Sequence, residues 1–295
     1  MFDFQKIPSP ILFEGTDTCA YRDPAVYYEN GRFYLFSTFT EITSHGIEMT
    51  TIESTSEDLI HWTTLRELTP RDPRCNYSSP GNVIRYNGAY YLCLQTYCRE
   101  NGEKYGNERS RVFTMRSTDL LNWEEPVLLR VKGDDVPEAD MGRMIDPYLV
   151  QDLHEPEKWW CLYKQNGVSM SYSYDLEHWT YHGHTESGEN VCVLPKDGKY
   201  LIFHSPHNGI GVLQTEDFTA FETVGELITL GQKEWDWASG RLTAGFVLDL
   251  TNDPDYGKYI MFFHGSLDES ITFDNNASIG IAWSDDCIHW QYPKG

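Results

Sequence analysis

The chain has 295 residues, 40% of them hydrophobic and 14% aromatic, and its 45 acidic against 23 basic side chains give a formal charge of −22. That length suits one large all-β domain or two average ones. A surface this acidic excludes phosphate backbones and anionic lipids as partners, so no nucleic acid and no membrane are expected, while a neutral ligand such as a carbohydrate stays open. No apolar run approaches the roughly 18 residues of a membrane span.

The first residues, MFDFQKIPSP, hold neither the basic segment nor the apolar stretch of a secretory leader. A cytoplasmic location is the expectation, with secretion expected instead if a leader has been removed. The seven cysteines are scattered without a CxxC pair and read as free, mostly buried thiols. Nothing in the chain fixes an oligomeric state.

From residue 23 onward the same pattern recurs. An apolar strand, a hairpin turn and an aromatic-rich strand make up DPAVYYENGRFYLFS (Asp23–Ser37). SEDLIHW (Ser56–Trp62) follows after a further strand. The second copy is SPGNVIRYNGAYYLCLQ (Ser79–Gln95), VFTMRS and STDLLNW (Ser117–Trp123). The third is DPYLVQDLHEPEKWWCLY (Asp146–Tyr163), VSMSYS and SYDLEHW (Ser173–Trp179). The fourth is ENVCVLPKDGKYLIFHS (Glu189–Ser205), IGVLQT and TEDFTAF (Thr215–Phe221). The fifth is AGFVLDLTNDPDYGKYIMFFH (Ala244–His264), IGIAWS and SDDCIHW (Ser284–Trp290). The turns ENG, YNG and KDG are hairpin signals. The motif Asp residues stand 61, 56, 42 and 69 positions apart, the spacing of four-stranded propeller blades with decorated loops. The expected fold is therefore all-β, a single five-bladed β-propeller of four-stranded antiparallel blades at about residues 19–65, 76–130, 142–184, 187–230 and 238–295. No helix longer than a turn or two is expected.

The S/T-x-D motif is structural on this reading. A short hydroxyl and a carboxylate bond turn amides, and the Leu and Trp that follow are expected to enter the next strand. The chemistry is sought instead at the head of each first strand, the innermost in a propeller. That position holds Asp23, Ser79, Asp146, Glu189 and Thr243 or Ala244. Acids heading apolar strands cost desolvation that folding alone does not explain. Three converging on one axis raise at least one pKa, and a paired acid and carboxylate are what glycoside hydrolysis requires.

These residues carry a resemblance. YRDPAV (Asp23), GRMIDPYLV (Asp146), GENVCVL (Glu189) and SPGNVI (Ser79–Ile84) resemble the corresponding stretches of glycoside hydrolase family 43, across nearly the whole chain. The resemblance implies an inverting glycosidase of arabinofuranosidase or xylosidase type acting on an oligosaccharide or polysaccharide. It makes Asp23 the general base, Glu189 the general acid and Asp146 the residue that sets and orients the acid. The acid of that family is usually followed by Gly-Pro, here replaced by Asn190 and Val191. Two alternatives stay open. One is a retaining, fructosidase-like propeller with Asp23 as nucleophile, and the other a carbohydrate-binding propeller without catalysis.

Around the acids, Arg22, Ser79, Asn82, Arg143, His207, Trp237 and Arg241 are the candidate substrate contacts. The arginines suit acids or sugar hydroxyls, and the tryptophan suits the face of a sugar ring. The polar segments Arg99–Arg109 and Lys132–Met141 are expected to form the rim. No cofactor is required. By resemblance a calcium or sodium ion in the central channel is the one metal to consider, with His264 beside it.

Overall fold

The computed structural model describes residues 1–268 and 273–294 and forms a five-bladed, antiparallel β-propeller. The blades run outward from the axis in chain order. The first is built of Cys19–Glu29, Arg32–Thr43, Gly46–Ser56 and Arg66–Glu67. The second is built of Val83–Tyr86, Ala89–Gln95, Val112–Ser117 and Val127–Leu128. Ile145–Gln151, Trp159–Lys164, Val168–Ser173 and Thr180–Thr185 form the third. Glu189–Lys196, Lys199–Ser205, Gly211–Thr215 and Glu222–Thr223 form the fourth.

The fifth blade contains Arg241–Leu250, Lys258–Ser266 and Ala277–Ser284. Two short strands from opposite chain ends share its outer edge: Ile11–Phe13 and Trp290–Gln291 both pair with Ala277–Ser284. The sequence reading did not assign the N-terminal strand. By joining the blade formed last it staples the ring shut, which removes an open sheet edge.

Local chemistry explains the repeat. Asn30-Gly31, Asn87-Gly88 and Asp197-Gly198 all have positive φ, as a two-residue type I′ hairpin requires; Asn166-Gly167, also at positive φ, closes a three-residue turn between Lys164 and Val168. In the S/T-x-D motif, the Asp58 carboxylate accepts the backbone N–H groups of Ile60 and His61. Asp119, Asp175 and Asp286 repeat this arrangement. Against the cost of burial, the His61, Asn122, His178 and His289 side chains together with these amides hold the carboxyls below the usual carboxylate range, Asp58 at about 2. The residue after each motif Asp does not enter a strand as expected. Leu59, Leu120, Leu176, Phe218 and Cys287 all sit in the turn with φ between 60° and 70°, four of them buried. The strain of a left-handed side chain is offset by driving it between blades.

The inter-blade core includes Phe33, Phe36, Phe203 and Phe262, all fully buried; burial of such a side chain contributes about 1.5–3 kcal/mol. All seven cysteines are free thiols, and Cys93, Cys98, Cys161, Cys192 and Cys287 are buried. Among the described residues no helix is long and apolar enough to cross a membrane.

Candidate active site

Four of the five first strands break register near the head. The shift falls between Arg22 and Ala25, Ile145 and Tyr148, Glu189 and Cys192, and Thr243 and Phe246. At each break one residue takes the left-handed conformation: Asp23 (φ 51°), Asp146 (51°), Asn190 (51°) and Ala244 (54°), joined in the second blade by Ser79 (44°). A bulge of this kind re-aims a side chain, and proline, which has no N–H to lose, suits the unpaired position after it. Pro24, Pro80 and Pro147 stand there. Glycine is demanded at Gly81, where a Cβ would lie 1.6 Å from the Pro147 carbonyl oxygen.

The five left-handed residues and those after them converge on the axis around a space of about 20 Å³. A cavity of about 290 Å³ adjoins it, lined by Asp23, Asp146, Glu189 and the sequence-selected Arg22, Ser79, Arg143, His207 and Arg241. One element of the alignment is corrected. The fourth-blade equivalent of Asp23 and Asp146 is Asn190, not Glu189. Glu189 stands one residue earlier, paired with Ser205 as Arg22 is with Thr38 and Ile145 with Lys164. It is thus outside the ring of bulges, with a side chain 37% exposed against 11% for Asp23.

The carboxylates are held by a connected network. Thr38 Oγ1 donates to Asp23 Oδ2 at 2.9 Å and accepts the Ser79 N–H at 2.7 Å. Ser79 Oγ donates to Asp146 Oδ1 at 2.7 Å. The Asn190 side-chain amide reaches Asp23 Oδ1 at 3.3 Å and Ser79 Oγ at 3.5 Å, tying the two acids together. Arg22 Nε lies 3.5 Å from Asp23, and Arg241 pairs with Glu189 at 3.6 Å while its ring-facing side covers Phe273. Burial, then the charges of Glu189 and Asp23, push the Asp146 carboxyl up to about 7. Burial also raises Asp23, against the pull of Arg22 and of the Thr38 and Asn190 hydrogen bonds. The site therefore retains a proton near neutral pH.

A second repeat supports the bulges. The left-handed residue's N–H is accepted by a side chain at one register of the preceding blade's second strand. Asp23 bonds His264 Nδ1 at 3.0 Å, Ser79 bonds Thr38, Asp146 bonds Gln95 Oε1 and Ala244 bonds Ser205 Oγ at 2.8 Å. This assigns His264. Burial and the charges of Arg22 and Arg241 keep its pKa well below the usual histidine value, so the ring is neutral. With Nδ1 accepting, Nε2 carries the proton, and Nε2 is buried without a protein partner. A donor N–H flanked by two guanidinium groups does not fit a metal ligand, so the residues present do not fit a cation at His264.

Two sequence-selected contacts lie elsewhere. Asn82 is buried between blades two and three, its amide clamping the Leu149 N–H and carbonyl. Trp237 stacks with Trp235 at 5.2 Å and with Phe263 and lies against Gly265 and Gly280 of the fifth blade, outside the lining of the cavity. The Arg99–Arg109 segment does reach the cavity, through Tyr105, and Arg99 is anchored to Asp274 at 2.7 Å. The Lys132–Met141 segment lies against the third blade, with Lys132 over the Tyr181 ring at 4.4 Å. Thr38, Gln95, Tyr105, Lys164 and Asn190 were missed. The signal for three of them was the shared register of Thr38, Gln95 and Lys164 in equivalent second strands.

No family model matches the chain, and no curated protein matches it in sequence. Solved structures do match in fold. A thermostable family-43 glycoside hydrolase is 14% identical with a TM-score of 0.63, the match covering 98% of this chain and 96% of the other. An exo-1,5-α-L-arabinanase from a bovine ruminal metagenomic library is 15% identical (TM-score 0.61, 99% of each chain). A family 117 glycoside hydrolase of the marine bacterium Zobellia galactanivorans is 15% identical (TM-score 0.65, 90% and 86%). The chain has the five-bladed propeller fold of these glycosidase structures.

Proposed function

We propose that the chain is a glycoside hydrolase that cleaves a glycosidic bond of an oligosaccharide or polysaccharide by single-displacement inversion. The observation that carries this reading is the gathering of Asp23, Asp146 and Glu189 around one axial cavity, with Ser79 and Asn190 joining the two aspartates and Arg241 paired with Glu189. A propeller that only bound sugar would not need buried acids at this cost. The fold likeness to an arabinanase and to a β-xylosidase structure supports this reading.

Asp23 has its two oxygens aligned by Thr38 and Asn190, which suits a base. It removes a proton from water as the water oxygen bonds to the anomeric carbon. On the opposite face the carbon–oxygen bond to the leaving group breaks, and Glu189, the most exposed of the three acids, gives its proton to that oxygen. Asp146, its carboxyl pushed up to about 7 by burial and then by the charges of Glu189 and Asp23, holds a proton near neutral pH and orients the acid. Asp23 ends protonated and Glu189 ionised, and exchange with solvent restores both.

A panel of aryl arabinofuranosides, xylosides, galactosides and fructosides tests the reading with wild type, Asp23→Asn and Glu189→Gln. On the phenyl glycosides of the panel, whose leaving group needs a proton, each variant should lose roughly two to four orders of magnitude in turnover, with circular dichroism unchanged. Near-normal turnover in either variant would overturn its role.

A further inference from the structure

We infer that the sugar in this cavity carries an anionic group, a carboxylate or a sulfate ester, held by Lys164 and Arg143; this rests on the glycosidase reading above. In a chain with about twice as many acidic as basic residues, the cavity reverses the balance: Arg22, Arg143, Lys164 and Arg241 face three acids. Arg22 and Arg241 are accounted for by Asp23 and Glu189. Asp146 is served by the Ser79 hydroxyl, feels the Arg143 charge without forming an ion pair with it, and takes up a proton near neutral pH. Lys164 and Arg143 remain.

Among the described residues neither forms an ion pair within 4.0 Å. Arg143 spends its Nε on the Gly106 carbonyl and lies over the Tyr97 ring at 5.6 Å, which leaves its terminal nitrogens for the cavity it lines. Both side chains are half-buried, and a half-buried cation without a counter-ion is a cost that folding does not repay.

The repeat makes the case for Lys164 stronger. At its register the other four blades carry Thr38, Gln95, Ser205 and His264, each accepting the N–H of the next left-handed residue. An ammonium group has no lone pair to accept with. The third blade therefore gives up a structural hydrogen bond to place a positive charge in the cavity. Lys164 and Arg143 are close, since Lys164 pairs with Ile145 and the neighbouring Gln165 amide bonds the Arg143 carbonyl. The acidic exterior does not prevent entry of an anion, because charges beyond about 8 Å are screened at physiological salt. A hexuronic acid is a pentopyranose bearing one added carboxylate, so this selectivity is compatible with xylosidase-type chemistry.

The test is ligand binding by NMR titration at low and physiological salt, with D-glucuronate, D-galacturonate and galactose 6-sulfate against glucose and galactose. At least one anionic sugar should bind about tenfold tighter than its neutral counterpart, the scale of one charge-assisted hydrogen bond. Lys164→Met should abolish that ratio, and Lys164→Arg should keep part of it. Preference among the three anions separates carboxylate from sulfate. Equal binding of neutral and anionic sugars, or an unchanged ratio in Lys164→Met, overturns the inference. A parallel assay with aryl glucuronides, galacturonides and neutral glycosides separates the two readings. Turnover confined to neutral glycosides removes the anionic selectivity but keeps the hydrolase. Anion-selective binding without turnover of any glycoside keeps the selectivity and removes the hydrolase.

Discussion

Asn190 occupies in the fourth blade the left-handed bulge position that Asp23 holds in the first, and its side-chain amide donates to Asp23 Oδ1 at 3.3 Å. The same amide reaches Ser79 Oγ at 3.5 Å, and Ser79 in turn donates to Asp146. One amide member of the ring thus spans two acidic ones.

Replacing Asn190 by Ala should leave the fold intact, because Ala244 adopts this conformation in the fifth blade with φ 54°. Asp23 would lose a hydrogen bond that favours its ionised form. Its pKa should rise further, the acidic limb of the pH–rate profile should move to higher pH, and kcat/KM should fall roughly tenfold to a hundredfold at neutral pH. Steady-state kinetics across pH checks both effects. An unchanged limb would show that Asn190 does not act on the base.

Glu189→Gln should depend on the leaving group. A phenol with a low pKa departs without a proton, so the variant should lose about tenfold or less on dinitrophenyl glycosides and on the order of a thousandfold on unactivated oligosaccharides. Comparing the two substrate classes measures the proton delivered by Glu189. Equal losses on both would place the acid elsewhere.

Asp146 links the site to stability. Its folded pKa is raised from 3.8 to about 7, so between these values the folded state binds more protons than the unfolded chain. Stability attached to this group is complete below about pH 4 and is lost as pH rises through about 7. Asp146→Asn removes the titration. The variant should gain on the wild type by a few kcal/mol between pH 4 and pH 7, read as a widening difference in melting temperature. A constant difference would contradict a neutral, buried Asp146.

The motif acids should behave in the opposite way. Asp175 accepts the backbone N–H groups of Glu177 and His178 and lies in an outer turn. Asp175→Ala should cost about 1 kcal/mol of stability and leave kcat unchanged, checked by denaturant unfolding beside kinetics.

The blade repeat was legible because its signals are local: each turn is closed by side chains within a few residues of the backbone groups they bind. The convergence of Asp23 and Asp146 was legible for the same reason, each opening an apolar strand before a proline. Glu189 was found but misplaced by one residue, since the bulge that puts Asn190 in the ring depends on register with Lys199–Ser205. What stayed hidden depends on distant pairing. The closure of the fifth blade by Ile11–Phe13 joins residues more than 260 positions apart. Lys164 faces the cavity only because a third-blade strand is seated beside the bulge of the fourth. Trp237 gave the wrong signal because a sugar-binding tryptophan and one packed against Trp235 have the same local sequence.

The central claim is that Asp23 and Glu189 act from opposite faces of the anomeric carbon, which calls for carboxyl groups roughly 6.5–9.5 Å apart with water between them. Proton NMR of the first sugar released, recorded before mutarotation, tests it most directly. The account predicts that the initial product has the anomeric configuration opposite to that of the substrate. Initial release of the retained anomer would contradict it and make Asp23 a nucleophile.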